Sequence, residues 1–197
     1  MELPPLDHPA TIPAVLRAAA ARFGERDFVV MPDRRLTFAS AEAASREVAK
    51  DLLARGVGKG TKVAMLDTFS TEWVVSWLAT TRIGAVFVPL ASTMKPPEAR
   101  WTLRHADVGL LVIPPAVLGH DMYEFAAAAV PGLADAGAAR LYLPEMPFLR
   151  GVASTAPGGP PWAMHLAVPG GAAGGTTAAV TGPVDDAFLE QVEAEVR

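Results

Sequence analysis

Apolar residues recur at helical spacing from Ile12 through Val15, Leu16 and Ala19 to Phe23, with Thr11 placed to cap, Pro13 in the first turn and Gly24 to stop the run. Two short β-prone runs follow, Phe28 to Met31 and Leu36 to Phe38. Pro32-Asp33-Arg34 between them supplies a turn, because Pro fixes φ and Asp bonds its own backbone, so a hairpin is predicted. From Ser40 onward Ala44, Val48 and Leu52 mark one face of a second helix closed by Gly56, and Lys62 to Leu66 reads as a strand. A helix over Thr71 to Arg82, with Trp73, Trp77 and Leu78 on its apolar side and Gly84 as its stop, leads into a strand over Ala85 to Val88 that Pro89 is expected to end. Pro96-Pro97-Glu98 opens the next helix, carrying Trp101, Leu103 and Ala106, and Gly109 to Ile113 forms the next strand. One more helix over Ala116 to Val130 and one more strand over Ala139 to Leu143 complete the predicted alternation. Continuous apolar strands separated by helical crossovers imply an α/β fold, a largely parallel sheet with helices on both faces.

Beyond Gly151 the texture changes. Pro157-Gly158-Gly159-Pro160-Pro161 and Pro169-Gly170-Gly171-Ala172-Ala173-Gly174-Gly175 suit neither a helix nor a ladder, so three regions are expected: an α/β unit over 1–150, a Gly/Pro-rich linker or loop over 151–182 and a terminal amphipathic helix over 183–197. In that helix Asp185 and Asp186 stand at the favourable end, with Phe188, Leu189, Val192 and Val196 on one side. A stripe running to the last residues implies a packing partner, or the rest of the domain, beyond Arg197.

Composition removes whole classes of chemistry. With 51% hydrophobic residues in 197 the chain can bury a core, while a formal charge of -4 gives no cationic footprint for nucleic acid. The absence of cysteine excludes disulfides, a thiolate nucleophile and Cys-bound zinc, and fits a reducing cytoplasm. The most apolar window, Val74 to Leu90, contains Arg82 and Pro89 and falls short of the ~20 apolar residues that a membrane-spanning helix needs.

Candidate catalytic groups are sparse. Gly170 to Thr177 has two glycines at Walker spacing but Thr176 in the lysine position, and Gly182-Pro183 denies it a following helix N-terminus, so it reads as a flexible loop. His8, His105, His120 and His165 make no close ligand pair, and no acids join them at metal spacing, so they read as surface or locally bonded groups and no metal site is expected. There is no Gly-x-Ser-x-Gly elbow, and Asp185-Asp186 reads as helix capping rather than an acid/base dyad. Trp73, Trp77 and Trp101 are expected in the core. No catalytic or cofactor-binding residue is assigned from these patterns.

Several segments in order resemble the N-terminal part of the adenylate-forming superfamily, which includes AMP-forming acyl-CoA synthetases. Leu36-Thr37-Phe38 before a helix is similar to that family's opening strand and turn. Gly56-Val57-Gly58-Lys59-Gly60-Thr61-Lys62-Val63-Ala64 resembles its Gly-Val-x-x-Gly-Asp-x-Val-Ala segment, with Thr61 in place of the acid. Glu72-Trp73, then Gly84-Ala85-Val86-Phe87-Val88-Pro89-Leu90, resembles its Gly-Ala-x-x-Val-Pro-Leu motif, and Leu103 to Val112 the helix-strand unit after it.

The resemblance implies a two-step reaction. A carboxylate attacks the α-phosphate of ATP, giving acyl-adenylate and pyrophosphate, and a thiol such as CoA then takes the acyl group. It also implies ATP, magnesium and CoA for a complete enzyme, with a fatty or other carboxylic acid as substrate. The family's phosphate loop, Ser/Thr-Gly-Thr-Thr-Gly-x-Pro-Lys, is matched only at Gly175-Thr176-Thr177, with Val180 and Thr181 where Pro and Lys belong. By that resemblance the chain is expected to be the N-terminal subdomain of a ligase, inert without its C-terminal portion, because pyrophosphate departure needs preorganised cations and amide donors. The loop Leu90-Ala91-Ser92-Thr93, beyond a strand's carboxyl end, is expected to border the acyl or pantetheine channel, a plain strand-to-helix turn being the other reading. A non-catalytic α/β interaction module, and a free-standing nucleotide binder resting on Gly170 to Thr177, are the alternative functions.

Overall fold

The computed structural model describes residues 9–137, 140–169 and 184–196. The chain runs α1 (Ile12–Phe23), β1 (Asp27–Val30), β2 (Arg35–Thr37), α2 (Phe38–Ala54), β3 (Lys62–Leu66), α3 (Thr71–Arg82), β4 (Val86–Leu90), α4 (Pro96–His105) and β5 (Val108–Ile113). It continues through β6 (Ala116–Val117), β7 (His120–Asp121), α5 (Met122–Ala129), β8 (Gly151–Ser154), β9 (Ala163–His165) and α6 (Asp186–Ala194).

β3, β4, β5, β8 and β9 form one parallel sheet in the order β4-β3-β5-β8-β9, and β1 and β2 pair antiparallel as the predicted hairpin. Alternation along the strands divides the core in two. Val63, Met65, Leu110 and Val112 face one side, under α1, α2, α3 and α6; Ala64, Leu66, Leu111 and Ile113 face the other, under α4 and α5. The α/β reading with helices on both faces therefore holds.

Helix ends follow local chemistry. Thr37 and Ser40 close a reciprocal capping box on α2: Thr37 Oγ1 accepts from the Ser40 amide at 3.1 Å and Ser40 Oγ from the Thr37 amide at 2.8 Å. Asp185 Oδ1 accepts from the Phe188 amide at 2.8 Å, so Asp185 caps α6 as its sequence position suggests. Gly84, at φ +69°, takes the chain out of the α3 segment in the left-handed region.

Five expectations need correction. β4 does not stop before Pro89 but runs through it to Leu90, because β4 is the sheet edge and an imide nitrogen facing outward costs no ladder bond. The segment 116–130 opens as the two-stranded β6–β7 turn, with helix only from Met122, where Asp121 Oδ1 accepts from the amides of Tyr123 and Glu124 and fixes the start. Leu143 makes only an isolated bridge to Met146; the strand that joins β5 is Gly151–Ser154. The region beyond Gly151 is thus not all linker: β8 and β9 extend the sheet through two short apolar runs set between the Pro/Gly clusters. Trp101 is 64% exposed, stacked on His105 at 4.6 Å, because the buried side of α4 is carried by Ala99 and Leu103.

Candidate functional site

β3 and β4 lie side by side in parallel, with Leu66 opposite Leu90 at their carboxyl ends. From there the chain diverges. Residues 67–70 lead from β3 to α3 on one face of the sheet, while residues 91–95 lead from β4 to α4 on the other. Neighbouring parallel strands whose outgoing loops part to opposite faces leave a crevice between them. The β3 loop parts in the same way from that of its other neighbour β5, where the strand order reverses, the switch point at which open α/β sheets bind ligands.

The four residues expected to border a channel sit at this crevice. Leu90 is buried at the end of β4, Ser92 is half-buried, and Ala91 and Thr93 are exposed. Ser92 and Thr93 line a cleft of about 600 Å³ together with Leu66, Met94, Met122 and Phe125, with Lys95, His120, Asp121 and Glu124 also on its walls. Ala91 and Thr93 also border a shallower hollow beside Trp101. The cleft combines an apolar floor from β3 and α5 with hydroxyls from one wall and charged groups from both. A further cavity of about 750 Å³ lies between α1 and α6; it shares no residue with the Leu90–Thr93 loop.

Asp67, immediately after β3, is a titratable group that pattern reading did not single out. Burial pushes its carboxyl pKa upward, against hydrogen bonds from Ser70 Oγ and from the Thr68 amide at 2.7 Å. Ser70 Oγ in turn accepts from the Trp73 amide at 3.0 Å, capping α3. The available signal was Asp-x-x-Ser ahead of a helical run, an Asx turn joined to an N-cap. Glu72, in the first turn of α3, pairs with Arg34 at 2.9 Å and ties the hairpin to the same helix start.

The remaining candidates scatter. His105 stacks on Trp101, His120 stands on the cleft wall, and the His165 carbonyl accepts from Arg55 at 2.7 Å. His8 lies outside the described residues, as do Gly170 to Thr177, including Gly175-Thr176-Thr177, and Gly182-Pro183. Among the described residues no three His, Asp or Glu side chains converge on a metal position. Nor is any helix there long and apolar enough to cross a membrane.

Residues 16–155 match the family model described as AMP-binding enzyme. The putative acyl-CoA synthetase YngI of Bacillus subtilis is 32% identical over 143 residues, 72% of this chain and 26% of that protein. The acyl-CoA ligase sidI of Aspergillus fumigatus is 28% identical over 143 residues, 72% of this chain and 24% of that protein. The chain thus spans about a quarter of the length of these relatives. Among solved structures, a putative long-chain-fatty-acid CoA ligase from Rhodopseudomonas palustris superposes with a TM-score of 0.63 at 23% identity, covering 81% of this chain and 36% of that one. The anthranilate CoA ligase AuaEII, in complex with anthranoyl-AMP, gives 0.60 at 22% identity, covering 76% and 25%. These two likenesses establish the shared fold. The fold defines an α/β domain built on a five-stranded parallel sheet, with a crevice at its strand ends. The family match makes the assignment specific: the chain belongs to the AMP-binding enzyme family, whose relatives here are acid–CoA ligases.

Proposed function

We propose that this chain is the N-terminal part of an AMP-forming acyl-CoA synthetase, acting in the cytoplasm on a fatty or other carboxylic acid with ATP, magnesium and CoA. The observation that supports this most directly is the continuous family match over 16–155, which contains the β3–β4 crevice and its Leu90-Ala91-Ser92-Thr93 loop. In this reading the crevice forms one wall of the acyl or pantetheine channel. Leu66, Met122 and Phe125 offer apolar contact, and the Ser92 and Thr93 hydroxyls offer hydrogen bonds to an amide or carboxyl group.

The chemistry of adenylation belongs to the rest of such an enzyme. No lysine of this sequence stands in a Ser/Thr-Gly-Thr-Thr-Gly-x-Pro-Lys context, and several cations of the fold are already engaged: Arg34 with Glu72, Arg55 with Asp51, Arg82 with Glu42 and Glu193, and Lys50 with Glu47 and Asp186. Removing a single preorganised donor from an oxyanion site costs roughly 10²–10³ in rate, so a chain without the phosphate loop is expected to be inert alone.

Pyrophosphate–ATP isotope exchange with a panel of fatty and aromatic acids tests this. The 197-residue chain alone is expected to give no exchange, and a polypeptide continuing into the family's phosphate loop is expected to give it. Exchange by the chain alone would overturn the reading. Within the longer polypeptide, Ser92→Ala with Thr93→Ala is expected to raise KM for the acid or for CoA several-fold; unchanged kinetics would reduce the loop to a simple turn.

A further inference from the structure

α6 is an acidic helix lying on a basic strip. Between Asp185 and Val196 it has five carboxylates and no cationic side chain. The layer beneath presents Arg17 from α1, Arg46 and Lys50 from α2, Lys59 from the α2–β3 connection and Arg82 from α3. Arg46 reaches Asp186 at 3.1 Å and Glu190 at 3.4 Å, and Lys50 reaches Asp186 at 3.3 Å. Lys59 Nζ donates to the Glu195 carbonyl at 2.9 Å. At the centre Arg82, fully buried, donates to Glu193 at 2.6 Å, to Ser45 Oγ at 2.9 Å and to Glu42, while Arg17 also binds Glu193.

Apolar contact adds little by comparison. α6 buries Leu189 fully and Val192 in part, leaving Phe188 48% exposed, whereas α3 buries Val74, Val75, Leu78 and Ala79. The outer pairs are open to solvent, Asp186 and Glu190 each at 64% side-chain exposure, and are therefore open to screening.

We propose that the strip formed by Arg17, Arg46, Lys50, Lys59 and Arg82 is a docking surface for an acidic amphipathic helix, occupied in cis by α6, and that salt releases α6 while the sheet stays folded. Release leaves no buried cation unpaired, because Arg82 keeps Glu42 and Ser45 within its own layer. Glu193 returns to water, and only Leu189 among the large apolar residues of α6 gives up a fully buried position.

Amide hydrogen exchange on the 197-residue chain at 0.05 M and 1 M NaCl tests this. The Debye length falls to about 3 Å at the higher salt. The α6 amides are expected to exchange about tenfold faster there, while those of β3 and β5 keep their rates. Equal α6 rates at both salts, or rates rising in step with β3, overturn the proposal. Arg46→Gln with Lys50→Gln removes the two cations that meet the exposed Asp186 and Glu190 while leaving Arg17 and Arg82 in place, and is expected to give, at 0.05 M, α6 rates close to those of the parent chain at 1 M. Should Leu189→Ala free α6 while this double variant leaves it protected, the helix is held by apolar contact and the proposal fails.

Discussion

The two faces of the sheet hold their helices by different means. Under α4 and α5 the described core has no buried charged side chain, Ser154 Oγ meeting the Tyr123 hydroxyl of α5 at 2.8 Å, and the two arginines of α4 turn to neutral acceptors. Arg100 donates to the carbonyls of Ala128 and Ala129 at the carboxyl end of α5, at 3.0 and 3.1 Å, and Arg104 donates to the Glu145 carbonyl. A cation at a helix C-terminus meets unpaired carbonyls and the negative end of the dipole, so it needs no carboxylate. Under α1, α2, α3 and α6 the apolar core is just as continuous, but Arg82, Glu193 and Ser45 lie within it with Glu42 at its margin, and Arg82 Nε has no hydrogen-bond partner among the described residues. Burying charge is costly unless each ion is matched. One face has therefore fixed its helices with shape, and the other has made its outermost helix depend on charge balance. The β3–β4 crevice opens where loops to the two faces part.

Removing the central cation should break this contrast most severely. Arg82→Leu leaves the half-buried Glu42 without its cation and the buried Glu193 with Arg17 alone, at an expected cost of about 3–5 kcal/mol in urea unfolding. Adding Glu42→Gln and Glu193→Gln to it should recover most of that loss, which separates charge from cavity. A loss below about 1 kcal/mol for the single variant would mean that the two faces do not differ in kind. On the other face Leu111→Ala, a truncation at a position 1% exposed, should cost roughly 3 kcal/mol through transfer and cavity terms. That cost should be the same at 0.05 M and 1 M NaCl.

Acid sharpens the same comparison with a smaller effect. Hydrogen bonds from Arg46 and then Lys50, with their charges, hold the exposed Asp186 carboxyl below its ordinary pKa. A depressed folded-state value means that Asp186 adds to the docking of α6 above the ordinary carboxylate value, and that this contribution is lost as pH falls through the lowered one. Asp67 has the opposite sign: its raised pKa penalises the folded state at neutral pH, and acidification through the raised value relieves it. Acidification from pH 5 towards pH 3 is therefore expected to raise α6 amide exchange, corrected for the intrinsic pH dependence, before that of α3 beside Asp67. The reverse order would contradict the assignment of charge to α6.

Much of this was legible in the chain itself. The 3.6-residue spacing of α2, the apolar run of β3 and the limits of α3 needed only periodicity and punctuation, and the family motif Gly84 to Leu90 falls on the α3–β4 turn and strand. What was not legible is instructive. α1 shows Ile12, Val15 and Leu16 at helical spacing, yet only Leu16 is buried while Ile12 and Val15 are 38% and 47% exposed; spacing fixes a face but not how much of it finds a partner. Arg82 and Glu193 stand 111 residues apart, and nothing local marks either for burial. β8 and β9 were hidden because four- and three-residue strands flanked by Pro and Gly give too short an alternation to register. At the crevice, Ser92 and Thr93 could be placed by the rule of strand carboxyl ends, whereas the Asp-x-x-Ser pattern marks Asp67 only as a turn residue and its raised pKa follows from burial that no local pattern shows.

The smallest expected effect concerns the outer edge of β4 and needs the least disturbance to measure. The Val86 amide donates to the Thr61 carbonyl at 2.8 Å, so Val86, Val88 and Leu90 direct their backbone groups to β3, while Phe87 and Pro89 direct theirs outward. Pro89 thus occupies a position where the missing N–H removes no ladder bond, and it blunts an uncharged edge, Val-Phe-Val-Pro-Leu, that has no lysine to guard it. Pro89→Ala should change the urea midpoint by less than the equivalent of about 1 kcal/mol, mostly through the freer unfolded chain. Val88→Pro, one residue earlier, should cost about 1–3 kcal/mol because it leaves a β3 carbonyl unmatched in the sheet. The informative readout for Pro89→Ala is sedimentation velocity: restoring an outward N–H beside Phe87 should increase self-association over the concentration range where the parent chain stays monodisperse. Equal sedimentation of the two chains would show that the edge is guarded by something other than this proline.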